Sequence, residues 1–202
     1  MELERIQQRR GRDAALSRAI PWVIVLLFAV WGYQSMLPPA PLDATASGDE
    51  FSADRAMQHV TAIAQQPHPM GSPEIVEVRS YILTELETLG IETELQTTHA
   101  RDYYGGDEMV AVVNIIARIP GTSPSKAVAL MAHYDTEPAT PGGNDNTTAV
   151  AALLETGRAL VAGPALSNDI ILLFTDGEEP APRFGAKAFV GTHPTFREIG
   201  LV

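Results

Sequence analysis

The chain has no cysteine among its 202 residues. That excludes disulfides and thiolate-held metal, and it leaves the redox compartment unread. Basic residues are also scarce, 14 Lys and Arg against 25 Asp and Glu, for a formal net charge of −11. Five of the arginines (Arg5, Arg9, Arg10, Arg12 and Arg18) fall in the first 18 residues, against Glu2, Glu4 and Asp13. The remainder therefore holds nine basic and 22 acidic residues, a net of −13. A folded domain of that charge has no basic footprint for a phosphate backbone, so no nucleic-acid partner is expected. No internal repeat is present.

A single uncharged stretch stands out, the 18 residues from Ile20 to Leu37. As a helix it would extend about 27 Å, enough for a bilayer core. Trp22, Trp31 and Tyr33 are placed like interfacial aromatics, and the arginines precede the stretch. The positive-inside rule then leaves the N-terminus in the cytoplasm and the following domain outside it. A cleaved signal peptide would need a small-residue site such as Ala44-Thr-Ala46, but that lies well past the apolar run. The expected organisation is a cytoplasmic basic tail (1–19), a transmembrane anchor (20–37), an extended Pro-rich polar linker (38–50) and a folded domain (51–202).

Within the domain, Ser52 can cap a helix to about Gln65, and Ser72-Pro73 starts another. The second carries an apolar stripe of Ile75, Val78, Ile82, Leu86 and Leu89 and ends at Gly90. Strands are expected at about 91–98, 109–118, 127–133 and 169–175. A helix at about 146–162 joins the last two as a parallel βαβ crossover. Tyr103-Tyr-Gly-Gly106 reads as a loop, a flexible turn first and a substrate-contacting one as the alternative.

Two of these strands deliver chemistry. Ala127–Ala132 leads into His133 and Asp135, which are two apart and so point to one side. A carboxylate there can hold one imidazole nitrogen and leave the other for metal. The run Asp169–Gly177 leads into Glu178-Glu179. Two adjacent acids push one pKa upward, which suits one metal ligand and one general base. Asp145 lies between the two strands, in Pro141-Gly-Gly-Asn-Asp-Asn-Thr-Thr148. It could instead cap the next helix, although Asn144, Asn146 and Thr147 could also serve. Imidazole and carboxylates at the carboxyl ends of neighbouring strands are how an open α/β sheet builds a site. They are also the donors of zinc hydrolases.

His-x-Asp, then Asp in a Gly-Asn-Asp-Asn loop, then Asp-Gly-Glu-Glu, together resemble the co-catalytic di-zinc aminopeptidases. The resemblance runs from about Phe51 to the last residue. The stretch Pro67-His-Pro-Met-Gly-Ser-Pro73 and the apolar N-terminal segment are most similar to the membrane-anchored, vacuolar membrane protease-like branch of that family. The di-zinc deacylase and carboxypeptidase group is the nearest rival, but its bridging Asp lies farther from His-x-Asp than the 12 residues here.

The resemblance implies an α/β fold, a three-layer α/β/α sandwich with a mixed, mostly parallel sheet. It implies hydrolysis of peptide bonds with two zinc ions as cofactors. His133 and Glu179 would be ligands, Asp145 the bridging carboxylate, Asp135 the orienter of His133, and Glu178 the general base. A non-proline cis peptide is implied at Asp145-Asn146. Two further ligands of the family have no counterpart up to Val202, where Gly200-Leu-Val reads as the start of another strand. Three of five ligands are thus expected, with the domain incomplete at its C-terminus. A non-catalytic ectodomain on the same fold is the alternative of a different class.

Overall fold

The computed structural model describes residues 2–123, 125–180 and 182–201, in two units, Met1–Ala40 and Pro41–Val202. The first unit is helix α1 (Glu2–Met36), continuous through the basic segment and Pro21. Its stretch Arg18–Met36 has a mean hydropathy of 1.6 with none of it buried, and is long and apolar enough to cross a membrane.

In the second unit, Ile170 to Thr175 is buried at every position. A strand apolar on both faces needs a layer on each side. Strands β1 (Glu92–Arg101), β2 (Met109–Ile119), β3 (Ala127–His133), β4 (Ile170–Thr175) and β5 (Ile199–Leu201) form one sheet in the order β1-β2-β4-β3-β5. β1/β2 and β2/β4 pair antiparallel, whereas β4/β3 and β3/β5 pair parallel.

On one face Ile170, Leu172 and Phe174 pack with Ile115 and Ala117 against helices α2 (Ala53–Ile63), α3 (Pro73–Thr88) and α4 (Thr148–Ala162). On the other, Ile171 and Leu173 pack with Ile116 against Phe189 of helix α5 (Phe184–Thr192). The result is the expected three-layer sandwich, with β3-α4-β4 as its parallel crossover. Ser72 caps α3 by accepting from the Ile75 N–H, and the stripe Ile75, Val78, Ile82 and Leu86 is buried.

Residues 43–50, read from composition as an extended linker, are tied down instead. Arg55 donates to the carbonyls of Ala44, Ala46 and Glu50, and Arg158 also donates to Glu50. Two guanidiniums with several donors each offer this polar stretch partners that composition does not reveal. Both arginines converge on the fully buried carboxylate of Glu155 in α4, which also accepts the Ser52 N–H at the start of α2.

Candidate metal centre

β3 and β4 end side by side, with His133 opposite Thr175 and the Tyr134 N–H donating to the Thr175 carbonyl at 2.9 Å. Beyond β4 the chain turns through Gly177, whose φ of +67° lies in the left-handed region that glycine adopts without strain. Asp176, at that turn, is buried and accepts the Val113 N–H at 2.9 Å. Burial, and then the Asp135 charge, push its carboxyl up to about 7.

Asp135 is fully buried, and its two carboxylate oxygens accept the consecutive N–H groups of Glu178 (3.0 Å) and Glu179 (3.1 Å). The strand-end loops are therefore joined through one side chain. His133 Nδ1 lies 3.2 Å from the Asp135 carbonyl oxygen and 3.5 Å from its carboxylate Oδ1. The nearer holder of the imidazole is thus the main chain of Asp135, with the side chain behind it. Nε2 faces outward, 3.2 Å from Asp145 Oδ1 and 3.8 Å from Glu178 Oε2.

Gly142 shapes the Asp145 loop. Its φ is +65°, and a Cβ there would lie 2.3 Å from Thr136 Cγ2 and 2.7 Å from the Asp145 carbonyl. Only glycine lets the loop lie against β3's end in this way. The N-cap position of α4 is held by Thr147, so Asp145, at φ −128° and ψ 93°, stands outside the helix without capping it. The Asp145-Asn146 peptide bond is cis.

One ligating atom each from His133, Asp145 and Glu179 lies within 4.8 Å of the others. An imidazole nitrogen and two carboxylate oxygens fit zinc, and the spacing needs only small side-chain adjustments to reach bonding distances of about 2.0–2.2 Å. The electrostatics fit a cation too. Burial alone would lower the His133 pKa, but the Asp135 and Glu178 carboxylates raise it to about 9. Burial raises the Glu179 carboxyl, and the neighbouring Asp145 adds to it. A positive charge in this volume would relieve both.

Two residues near the site carried no such expectation. Arg183, at φ +51°, donates from Nε to Glu178 Oε1 at 2.8 Å. His68 is buried beside Thr136, just past the end of β3. Its N–H donates to Thr136 Oγ1 at 2.9 Å, and burial lowers its imidazole pKa. For Arg183 no local sequence signal exists; for His68, the flanking prolines of Pro67-His-Pro69 were the only hint of a fixed loop.

An α/β sandwich with a His/Asp/Glu cluster at its strand ends offers the donor set that zinc takes. Residues 114–202 match the model of peptidase family M28. The vacuolar membrane protease of Candida dubliniensis is 31% identical over 148 residues, covering 69% of this chain and 16% of that protein. A glutaminyl cyclase structure from Porphyromonas gingivalis superposes with a TM-score of 0.61 at 26% identity, covering 69% of this chain and 52% of the other. A candidate zinc-dependent exopeptidase from Bacteroides vulgatus gives a TM-score of 0.61 at 26% identity, covering 71% and 55%. The chain thus spans about half of these structures and a sixth of the fungal relative.

Proposed function

We propose that this chain forms the metal-binding part of an aminopeptidase-type zinc peptidase held at a membrane by α1. The observation that carries the reading is the convergence of His133, Asp145 and Glu179 at the ends of β3 and β4. His133 and Glu179 would be zinc ligands, and Asp145, the most exposed of the three, would be the carboxylate shared between two zinc ions. Bound zinc would supply Lewis acidity, polarising a peptide carbonyl and acidifying water. Asp135 holds the Glu178 and Glu179 main chain and the Nδ1 side of His133, leaving Nε2 for metal. Glu178 takes the proton from the attacking water and returns it to the departing amine. Arg183 donates from Nε to Glu178 Oε1 and so orients that carboxylate.

The five arginines before the apolar stretch of α1 support an orientation with the domain on the extracytoplasmic side. The relatives' names, a membrane protease among them, support membrane attachment.

The test is metal content and leucine p-nitroanilide turnover of the full-length gene product. Two zinc ions per chain and turnover are expected. Glu178→Gln should retain the zinc and lose about 10²–10⁴-fold in kcat. A zinc-free protein, or a Glu178→Gln variant as active as wild type, would sink the reading. A protein that binds zinc without turnover would be the non-catalytic ectodomain. Cyclisation of an N-terminal glutaminyl peptide in place of hydrolysis would align it with the glutaminyl cyclases instead.

A further inference from the structure

The chain enters the folded unit at a fixed point. The Leu42 carbonyl accepts the Ser52 hydroxyl at 3.2 Å and the Ala53 N–H at 3.1 Å, and the Asp43 carbonyl accepts the same hydroxyl at 2.7 Å. Helix α1 ends at Met36, so only residues 37–41 separate it from that point. A stretch of that length spans at most about 20 Å. Wherever the end of α1 lies, this part of the folded unit follows within that reach.

The surface beside the entry point is apolar. Phe51 lines a cavity of about 250 Å³ with Pro164, Leu160 and Leu166. A second cavity of about 260 Å³ shares Leu160 and Leu166 and adds Ile119 and Val161. Phe51, Val161 and Leu166 are 43%, 46% and 42% exposed, so a contiguous apolar surface is left open. Single exposed apolar side chains are ordinary, whereas a contiguous patch with a polar rim marks an interaction surface. The rim here carries both signs. Asp49 borders one cavity, and Arg118, paired with Asp169 and Glu198, borders the other. With no surplus of positive charge, it suits zwitterionic headgroups and not a phosphate-rich surface.

The patch also lies at one end of the unit. Asp145 stands just before α4, while Leu160 and Val161 are in the last turn of that helix. Its 15 residues extend about 22 Å.

We propose that this patch is a membrane-contact surface, with Phe51, Val161 and Leu166 resting in the headgroup boundary of the bilayer that α1 crosses. The proposal builds on the reading of α1 as an anchor. The short tether supplies nearness, and the patch gives one end of the unit a reason to face lipid. The metal centre then stands off by about the length of α4 and takes its peptide from water.

The test uses the full-length gene product in phosphatidylcholine vesicles, with single cysteines introduced to carry a polarity-sensitive fluorophore. Residues 1–202 hold no cysteine of their own. Labels at Phe51→Cys and Val161→Cys should emit to the blue of one at Ala139→Cys, an exposed position past β3. They should also lose intensity to nitroxide-bearing lipids, as a label at Val25→Cys in α1 should, while the Ala139 label keeps its own. Adding Phe51→Asp and Leu166→Asp should abolish the quenching at Val161 and leave zinc content unchanged. Patch labels as wet as the Ala139 label, with Val25 quenched, would overturn the contact and leave the anchor standing. Patch labels shielded from water yet untouched by the nitroxide lipids would also overturn it, because protein would then cover the patch. So would quenching at Val161 that survives both aspartates, since the tether alone would explain it. A Val25 label out of reach of the lipids would overturn anchor and contact together.

Discussion

At the scale of single residues, Asp135 carries more than its distance from metal suggests. Both of its oxygens accept main-chain N–H groups from the loop that bears Glu178 and Glu179. Asp135→Asn would turn an NH₂ toward one of those donors and leave it without an acceptor. Such a group costs about 1–3 kcal/mol when buried. Loss of the orienting carboxylate typically weakens metal binding about 10–100-fold. Urea unfolding and zinc competition against a chelator would measure the two effects; wild-type values in both would show that Asp135 is not the tie between the loops. The presence of Asp135 in the site was legible, because a two-residue step on a strand keeps His133 and Asp135 on one side. Its grip on positions 43 and 44 residues away was not, since a carboxylate bonded to main-chain N–H groups leaves no mark in residue types.

Among elements, the joint between α2 and α4 is the least expected. Glu155 sits in the middle of α4, fully buried, gathering the Ser52 N–H, Arg55 Nε and Arg158 Nε. Burial pushes its carboxyl up, but Arg158, the Ser52 N–H and Arg55 outweigh it and hold the pKa below the ordinary 4.5. A carboxylate whose folded pKa is depressed adds stability that is present above its unfolded value and lost as pH falls through the folded one. The domain should therefore lose Tm below about pH 4.5, and Glu155→Gln should flatten that acid limb. At neutral pH the same change should cost about 3 kcal/mol, the low end for breaking a buried ion pair, since both arginines keep some solvent contact. Thermal melts of the two proteins from pH 3 to 7 would decide it; parallel curves would remove Glu155 from the account. In sequence, α4 showed itself by its apolar face, while a lone Glu on that face looked like any solvated helix position.

On the scale of the whole molecule, the sheet was the most legible part. Continuous apolar runs at β3 and β4, joined by one helix, leave few topologies, and right-handed crossover chemistry selects among them. The turns tied to Arg55 and Arg158 were not legible, because main-chain carbonyls do the accepting. The apolar stretch of α1 yields a prediction at this scale. The protein should stay with membranes through alkaline carbonate extraction, and removal of residues 1–40 should release a soluble domain. Extraction of the intact protein into the supernatant would refute the anchor.

The paired acceptance at Asp135 also settles how two adjacent glutamates come to face different neighbours. Successive N–H groups reach one carboxylate only where the backbone curls into a shallow nest, and Gly177 begins that curl. When neighbouring amides converge, the side chains above them must splay. Glu179 leaves toward His133 and Asp145, while Glu178 leaves toward Arg183 and the outer edge of the imidazole. The different bearings of two identical side chains are thus set from beneath, by the one carboxylate that holds both of their main-chain N–H groups.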